Sequence, residues 1–339
     1  MRLATRLAGA LLCALLALAG AVPAQAADGT SSWRAQRAVV VGVPGLLWSD
    51  IDPTDTPELW ALAGDSAIGA LSVRAGRATT CLLDGWATLG AGNRARYPGA
   101  AEAVPPVPLP SAPVPGHATE PGLDDDGAAE GEDGEAPPPL DTSYSYCGLE
   151  ESVADLGLAQ PRQTVEAIAA DEATHRFGSE PGLLGDSVGC ATVVGKAATV
   201  AVAGPRSQVQ VAGGLPDAAT LTAGCPLTLV SLDDLTEAGR PGLHQTDSGT
   251  RPGGRLQAVR AVDAAVGRLR RTVAAAPGTL LLLAGLSEVN DGRPRLHVAM
   301  ASGPGFRPGW LTSSSTGRAP YVQLIDYAPT VLRLSLIHI

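Results

Sequence analysis

The sequence predicts an α/β protein, a three-layer α/β/α sandwich built on a mostly parallel central sheet. Two kinds of observation carry this. Ala38–Val43 (AVVVGV) and Thr279–Leu286 (TLLLLAGL) are unbroken apolar runs, the signature of strands buried on both faces. Such strands also alternate with helical stretches along the chain, which is the pattern of a layered sheet.

Taken in order, the chain opens on Arg2 and Arg6, an apolar run from Leu7 to Val22, and Ala24-Gln25-Ala26 as a small-x-small site. That layout reads as a secretory signal peptide over residues 1–26, cleaved after Ala26, with an uncleaved anchor as the alternative, and it places the mature protein outside the cytoplasm. Ala38–Val43 is the first strand. Thr56-Pro57-Glu58 starts a helix: Thr56 caps it, Pro57 suits the first turn, and Glu58 meets the positive end of the dipole. Ala67–Arg74 reads as a second strand. It delivers the chain to Arg77–Ala95 (RATTCLLDGWATLGAGNRA), where a turn bearing Thr79, Thr80 and Cys81 leads into an apolar segment closed by Gly90-Ala91-Gly92-Asn93. A segment of this kind presents a nucleophile at a strand end with a helix behind it to stabilise developing negative charge.

Residues 103–139 collapse into Pro, Gly, Ala and acid with no periodicity, so they read as a disordered insertion within one domain spanning 27–334. Gln163–Phe177 is helix-like and Glu180-Pro181-Gly182 breaks it. Short β-type runs follow at Ala191–Val194, Ala198–Ala203, Gln208–Ala212 and Leu227–Leu232. Arg255–Ala275 is the clearest helix, with Leu256, Val259, Val262, Val266, Leu269 and Val273 on one stripe. Thr279–Leu286 and Arg295–Ser302 complete the strands. Ligands and chemistry in such sheets gather at the carboxyl ends of strands, here Gly42–Gly45, Thr79–Cys81, Asp233–Asp234 and Ser287–Glu288.

Composition narrows the function. The 339 residues are 45% hydrophobic but only 4% aromatic, so the core is made of Ala, Val and Leu. The net charge of −10 is concentrated in an acidic run from Glu120 to Glu135. No basic stripe marks a nucleic-acid partner, and the acidic run lacks the ligand spacing of a calcium loop. Cys81, Cys147, Cys190 and Cys225 remain after the leader, an even count that favours disulfides in an exported chain. Three connectivities are possible, and Cys81–Cys147 with Cys190–Cys225 is preferred because it tethers neighbouring segments.

The four strand ends, in this order and spacing, resemble the alkaline phosphatase-like superfamily of phosphatases, sulfatases, nucleotide pyrophosphatases and cofactor-independent phosphoglycerate mutases. The resemblance is carried by VVVGVPGLLWSDI, TPELWALA, TTCLLDGWATLGAGNRA, FGSEPGLLGDS, LTLVSLDDL, AVDAAVGRLRR, LLLAGLSEVND and VQLIDYAPTVL. It looks like a GC-rich bacterial branch in which the domain is exported and joined to a membrane-spanning C-terminal region. Ser335–Ile339 resemble translated sequencing-adapter DNA, which implies a truncated reading frame whose membrane region is missing.

Active relatives hold two metal ions, usually zinc, between Asp and His side chains, beside a Thr, Ser or modified Cys nucleophile. The resemblance therefore implies a ligand where this chain has Pro44, which cannot ligate. Asp50 and Asp52 read as surface or helix-start residues. The nucleophile position falls on Thr79, Thr80 or Cys81, but Cys81-Leu82-Leu83-Asp84 lacks the Cys-x-Pro-x-Arg pattern of a sulfatase, and Cys81 suits a disulfide better. Thr80 is the nucleophile candidate and Asn93 an oxyanion-orienting one. Asp233, Asp234 and Glu288 are the available carboxylates, which could hold a divalent ion, Zn, Mg or Mn, if the site is active. The expected histidines are absent from their places. His175 and His297 read as structural, and His244 lies in a Gly/Pro-rich loop. Ser248, Ser287 and Ser313–Ser315 offer hydroxyls but no Gly-x-Ser-x-Gly elbow. The expectation is an exported module that has lost its metal centre and needs no cofactor, with an unidentified envelope ligand or protein as partner. The alternative is a metal-dependent phosphate or sulfate ester hydrolase with an atypical metal site.

Overall fold

Val39 and Val41 face one hydrophobic core while Ala38 and Val40 face another, and all four are inaccessible to solvent. The same division runs through the strand at Thr279–Ala284, with Leu281 and Leu283 on one side and Leu280 and Leu282 on the other. Side chains alternate across a strand. A strand with two apolar faces must therefore lie between two covering layers, which is why these segments read as unbroken apolar runs. A computed structural model describes residues 34–77, 79–98, 158–239, 252–288 and 294–334. The predicted leader, the 103–139 insertion, Cys147, His117, His244, Ser248, Asp291 and Ser335–Ile339 lie outside the described residues.

The strands are β1 (Arg37–Gly42), β2 (Ala67–Ser72), β3 (Cys190–Val194), β4 (Gln208–Ala212), β5 (Leu227–Ser231), β6 (Thr279–Ala284), β7 (His297–Ser302), β8 (Gly309–Trp310) and β9 (Tyr321–Gln323). The helices are α1 (Pro57–Asp65), α2 (Leu82–Ala91), α3 (Pro161–Ala170), α4 (Glu172–Arg176), α5 (Leu183–Val188), α6 (Ala218–Ala223), α7 (Asp234–Gly239), α8 (Pro252–Ala274) and α9 (Tyr327–Leu334). Among the described residues, nine strands form one sheet in the order β4-β3-β5-β1-β6-β7-β2-β8, with β9 also pairing with β2. Every pairing is parallel except those of β7 with β6 and with β2. One core holds Leu83, Trp86 and Leu89 of α2, with Ile168, Leu184 and Val331. The other holds Leu59 and Leu62 of α1 and Val259, Val262, Val266 and Leu269 of α8. The fold is the expected three-layer α/β/α arrangement with a mostly parallel sheet.

Several local expectations need correction. The Gln163–Phe177 stretch is two helices, α3 and α4, because Asp171 adopts extended geometry and caps α4 through the Thr174 N–H. Asp171 also receives the Arg96 guanidinium through two bonds, of 2.9 and 2.7 Å. Ala198–Ala203 is not a strand: Lys196–Ala201 forms a short 3-10 helix packed against α2. A brief apolar run cannot be assigned to strand or helix by periodicity alone, and here Ala-rich sequence allows close helical packing. A Cβ on Gly90 of α2 would lie 2.2 Å from the Ala201 carbonyl oxygen, so this approach requires glycine. Thr56 precedes α1 as expected, but its hydroxyl donates to the Asp50 and Asp52 carbonyls instead of capping the helix. The second strand stops at Ser72, and the Arg295–Ser302 run becomes strand only from His297.

Candidate functional site

The parallel strands β1, β5 and β6 end together, and the loops that leave them are stitched to the turn before α2. The Glu288 N–H donates to the Thr80 carbonyl at 2.9 Å, and the Gly45 N–H to the Ser287 carbonyl at 3.2 Å. The Leu232 N–H reaches the Gly42 carbonyl at 3.0 Å. The strand ends singled out in the sequence are thus gathered at one end of the sheet. Helix α2 begins there, with Cys81 at its N-cap position and all ten of its residues buried. Gly85 allows it to sit against the β6 loop: a Cβ there would lie 2.4 Å from the Leu286 carbonyl oxygen.

What the turn presents is closed rather than open. Thr80 is 1% exposed, and its hydroxyl accepts the Ala75 N–H at 3.0 Å. Cys81 is 1% exposed and engaged in a disulfide. Its expected partner, Cys147, lies outside the described residues. Cys190 and Cys225 are bonded to each other, as preferred from the sequence.

Asp84, three residues past Cys81, is the group that organises the turn, and it was missed as a functional residue. It is fully buried and accepts from the Cys81 N–H at 3.0 Å, the Tyr97 N–H at 2.7 Å and the Arg77 guanidinium at 2.8 Å. Arg77 also donates to the Tyr97 carbonyl. Burial pushes the Asp84 carboxyl up, opposed by the Arg77 charge and the two N–H donors. The spacing Cys81-x-x-Asp84 is that of a capping box and was the available signal.

Two of the three candidate carboxylates are likewise engaged. Asp233 Oδ1 accepts from Ser231 Oγ at 2.5 Å, and that hydroxyl accepts from Trp86 Nε1 at 2.9 Å. Asp234 opens α7. Glu288 Oε2 lies 3.0 Å from His297 Nε2 and accepts the Arg295 N–H at 3.2 Å. His297 is completely buried, with Nδ1 3.3 Å from the Leu46 carbonyl oxygen. Both ring nitrogens thus lie beside oxygen atoms. The sequence showed no histidine next to Glu288. The β6–β7 antiparallel pairing supplies one from nine residues further on, and only the register, with Ala284 opposite Ala299, reveals it.

Other candidates lie elsewhere or serve structure. Asn93 sits past the far end of α2, about 15 Å of helix from Cys81 by the helical rise. There its amide donates to the Phe177 carbonyl at 2.7 Å and its Oδ1 accepts the Arg94 N–H. His175 is in the last turn of α4. Pro44 is buried in a turn with Gly45 at φ 73°. Asp50 is held by Arg255 at 2.6 Å and caps the Leu47 N–H. Asp52 accepts the Thr54 and Asp55 N–H groups, which hold its carboxyl below the usual range. Among the described residues, no group of three or more His, Cys, Asp or Glu side chains is placed to hold a metal ion. The donors present do not fit a two-metal centre: Pro44, where the resemblance implies a ligand, offers no side-chain donor, and Glu288 faces His297.

No family model matches the chain, and no curated protein matches it. Solved structures similar to it include the PH0037 protein of Pyrococcus horikoshii, 12% identical over 89% of this chain and 97% of that one, with a TM-score of 0.41. A protein in the alkaline phosphatase superfamily from Vibrio parahaemolyticus is 12% identical over 90% and 67%, TM-score 0.44. The lipoteichoic acid synthase LtaP from Listeria monocytogenes is 11% identical over 90% and 72%, TM-score 0.44. With scores below 0.5, the fold class rests on the sheet's own topology and register.

Proposed function

We propose that this chain is an exported, non-catalytic α/β/α module of the cell envelope, alkaline phosphatase-like in plan, that acts by binding or by structural support. The observation that carries the reading is the closure of the nucleophile turn. Hydrolysis through Thr80 needs a hydroxyl that substrate can reach and a base or cation to lower its pKa. Thr80 is 1% exposed with its hydroxyl accepting the Ala75 N–H, and the adjacent Cys81 is in a disulfide. Asp84 is consumed by Arg77 and by backbone N–H groups. Polar groups buried against partners of their own rigidify a structure, and chemistry demands a group left free. Export is supported by the leader-like N-terminus and by the Cys190–Cys225 disulfide, since such bonds persist in oxidising compartments.

The competing reading is a residual ester hydrolase using Thr80 with Asp233, Asp234 and Glu288 around one divalent ion. Elemental analysis of the purified chain, paired with turnover of aryl phosphate and aryl sulfate esters in added Zn, Mg or Mn, separates the two. The module predicts no stoichiometric metal and no turnover above buffer. Stoichiometric metal, with turnover abolished by Thr80→Ala, overturns it.

A further inference from the structure

We infer that the corner where the β8–β9 edge of the sheet meets the amino ends of its parallel strands is a docking surface for an anionic lipid membrane. Trp310 is 69% exposed and Tyr321 is 43% exposed, in a chain that is only 4% aromatic. They lie on two short strands that pair with the same neighbour, Trp310 opposite Ile68 and Tyr321 opposite Ala70. Ladder partners point to the same face, and Ile68 and Ala70 are two residues apart. The two aromatic rings therefore stand side by side on one face of the edge, their Cα atoms about 7 Å apart by strand geometry. Burying an indole and a phenol in water-exposed positions gains nothing for the fold. Both rings favour the boundary between water and lipid, where one end is apolar and the other wet.

Arginine precedes both aromatics, and Asp65, two residues before Ala67, is paired with Arg270 at 3.1 Å. The formal net charge is −10, yet Arg307 and Arg318, each three residues before its aromatic, are exposed and have no side-chain partner among the described residues. An acidic protein approaching an anionic surface is oriented by such a basic corner.

The topology places this corner at the same end of the sheet as residue 34. Ala67, which starts β2, pairs with Gly309, and β2 runs in the same direction as β1, β5 and β6. The Ala35 N–H meets the Leu334 carbonyl at 2.6 Å at the amino end of β1. Residue 34, which follows the N-terminal apolar run in sequence, thus lies at the same end of the sheet as Trp310. The two are separated laterally by four strand spacings, about 19 Å. The Thr80–Glu288 end is opposite. Docked in this way, the protein holds its candidate site away from the lipid. The inference is independent of whether that site is catalytic.

Hydrogen–deuterium exchange of the full chain, with and without vesicles of phosphatidylglycerol, tests it. Protection is expected across residues 303–323, none at 285–288, and a clear loss when phosphatidylcholine replaces phosphatidylglycerol. Co-sedimentation with the same vesicles should fall about tenfold in affinity for Trp310→Ala with Tyr321→Ala, from the apolar area withdrawn from the interface. It should fall about fivefold for each of Arg307→Gln and Arg318→Gln, and added salt should weaken the parent chain more than these variants. These side chains are exposed, so unchanged thermal melting is the control for folding. Equal binding by the aromatic variant, or equal protection with neutral vesicles, overturns the assignment. So does protection of 303–323 by heparin or by raised protein concentration without vesicles, which would assign the corner to an anionic polysaccharide or a second copy of the chain.

Discussion

Replacing Asp84 with Asn removes one charge from the most enclosed ion pair of the turn and leaves its shape nearly unchanged. Asp84 is fully buried, and the Arg77 side chain is 9% exposed. The carboxylate serves three donors: Arg77 and the Tyr97 N–H at Oδ1, and the Cys81 N–H at Oδ2. An amide offers one oxygen where the carboxylate offered two, so one buried N–H faces an NH2 group and loses its acceptor, which costs about 1–3 kcal/mol. Arg77 loses its counter-charge as well, and breaking a buried pair by removing one partner costs about 3–5 kcal/mol in total. The carbonyl of Tyr97 still accepts from Arg77, which favours the lower half of that range. Urea unfolding followed by far-UV circular dichroism should show a loss of about 3–4 kcal/mol. The double variant Arg77→Met with Asp84→Asn should recover part of it, because no unpaired guanidinium then remains. A loss below about 1 kcal/mol, or strictly additive single and double variants, would show that Asp84 does not hold the turn in the way argued.

Four further outcomes follow from the same geometry. Burial raises the Asp171 carboxyl, but bonds from Arg96 and Thr174 outweigh it and hold the group below its ordinary 3.8. Its contribution to stability is therefore present above that value and lost as pH falls through the lower folded value, so Asp171→Asn should flatten the acid limb below about pH 3.8 in pH-dependent urea titrations. Gly90→Ala drives a Cβ into the Ala201 backbone and should cost about 1–3 kcal/mol or more. Gly64→Ala, in an exposed turn of α1 with nothing within 4 Å, should gain about 0.5–1 kcal/mol in the same urea unfolding. Cys190→Ala with Cys225→Ala releases a cross-link across a sequence separation of 35 residues. By loop entropy this should lower stability by about 4 kcal/mol, and disulfide mapping of the parent chain that linked Cys190 to any other cysteine would contradict the pairing.

The layered fold was legible because its central strands are buried twice over. β1 and β6 have no polar face to interrupt their apolar runs, and the stripe on α8 from Val259 to Leu269 meets a single core. Strands β8 and β9 were not legible: at two and three residues they carry no period, and only the edge of β2 gives them partners. The break at Asp171 was hidden because its helical neighbours on both sides look continuous, and a distant Arg96 helps hold it. At the site, the gathering of Gly42, Thr80, Asp233 and Glu288 could be foreseen from strand ends. The partners of those residues could not. Glu288 finds His297 through hairpin register, Asp233 finds Ser231 and Trp86 through packing, and Thr80 finds Ala75 through a turn. Pairings of this kind depend on tertiary distances of a few tenths of an ångström, which residue spacing does not encode.

Whether the nucleophile turn is closed to chemistry is decided most directly by turnover of an aryl phosphate by the parent chain and by Thr80→Ala, both in saturating Zn, Mg or Mn. A buried Thr80 hydroxyl bonded to the Ala75 N–H predicts the same rate for both, equal to that of buffer with metal alone. A parent rate well above that background, lost in Thr80→Ala, would contradict the account.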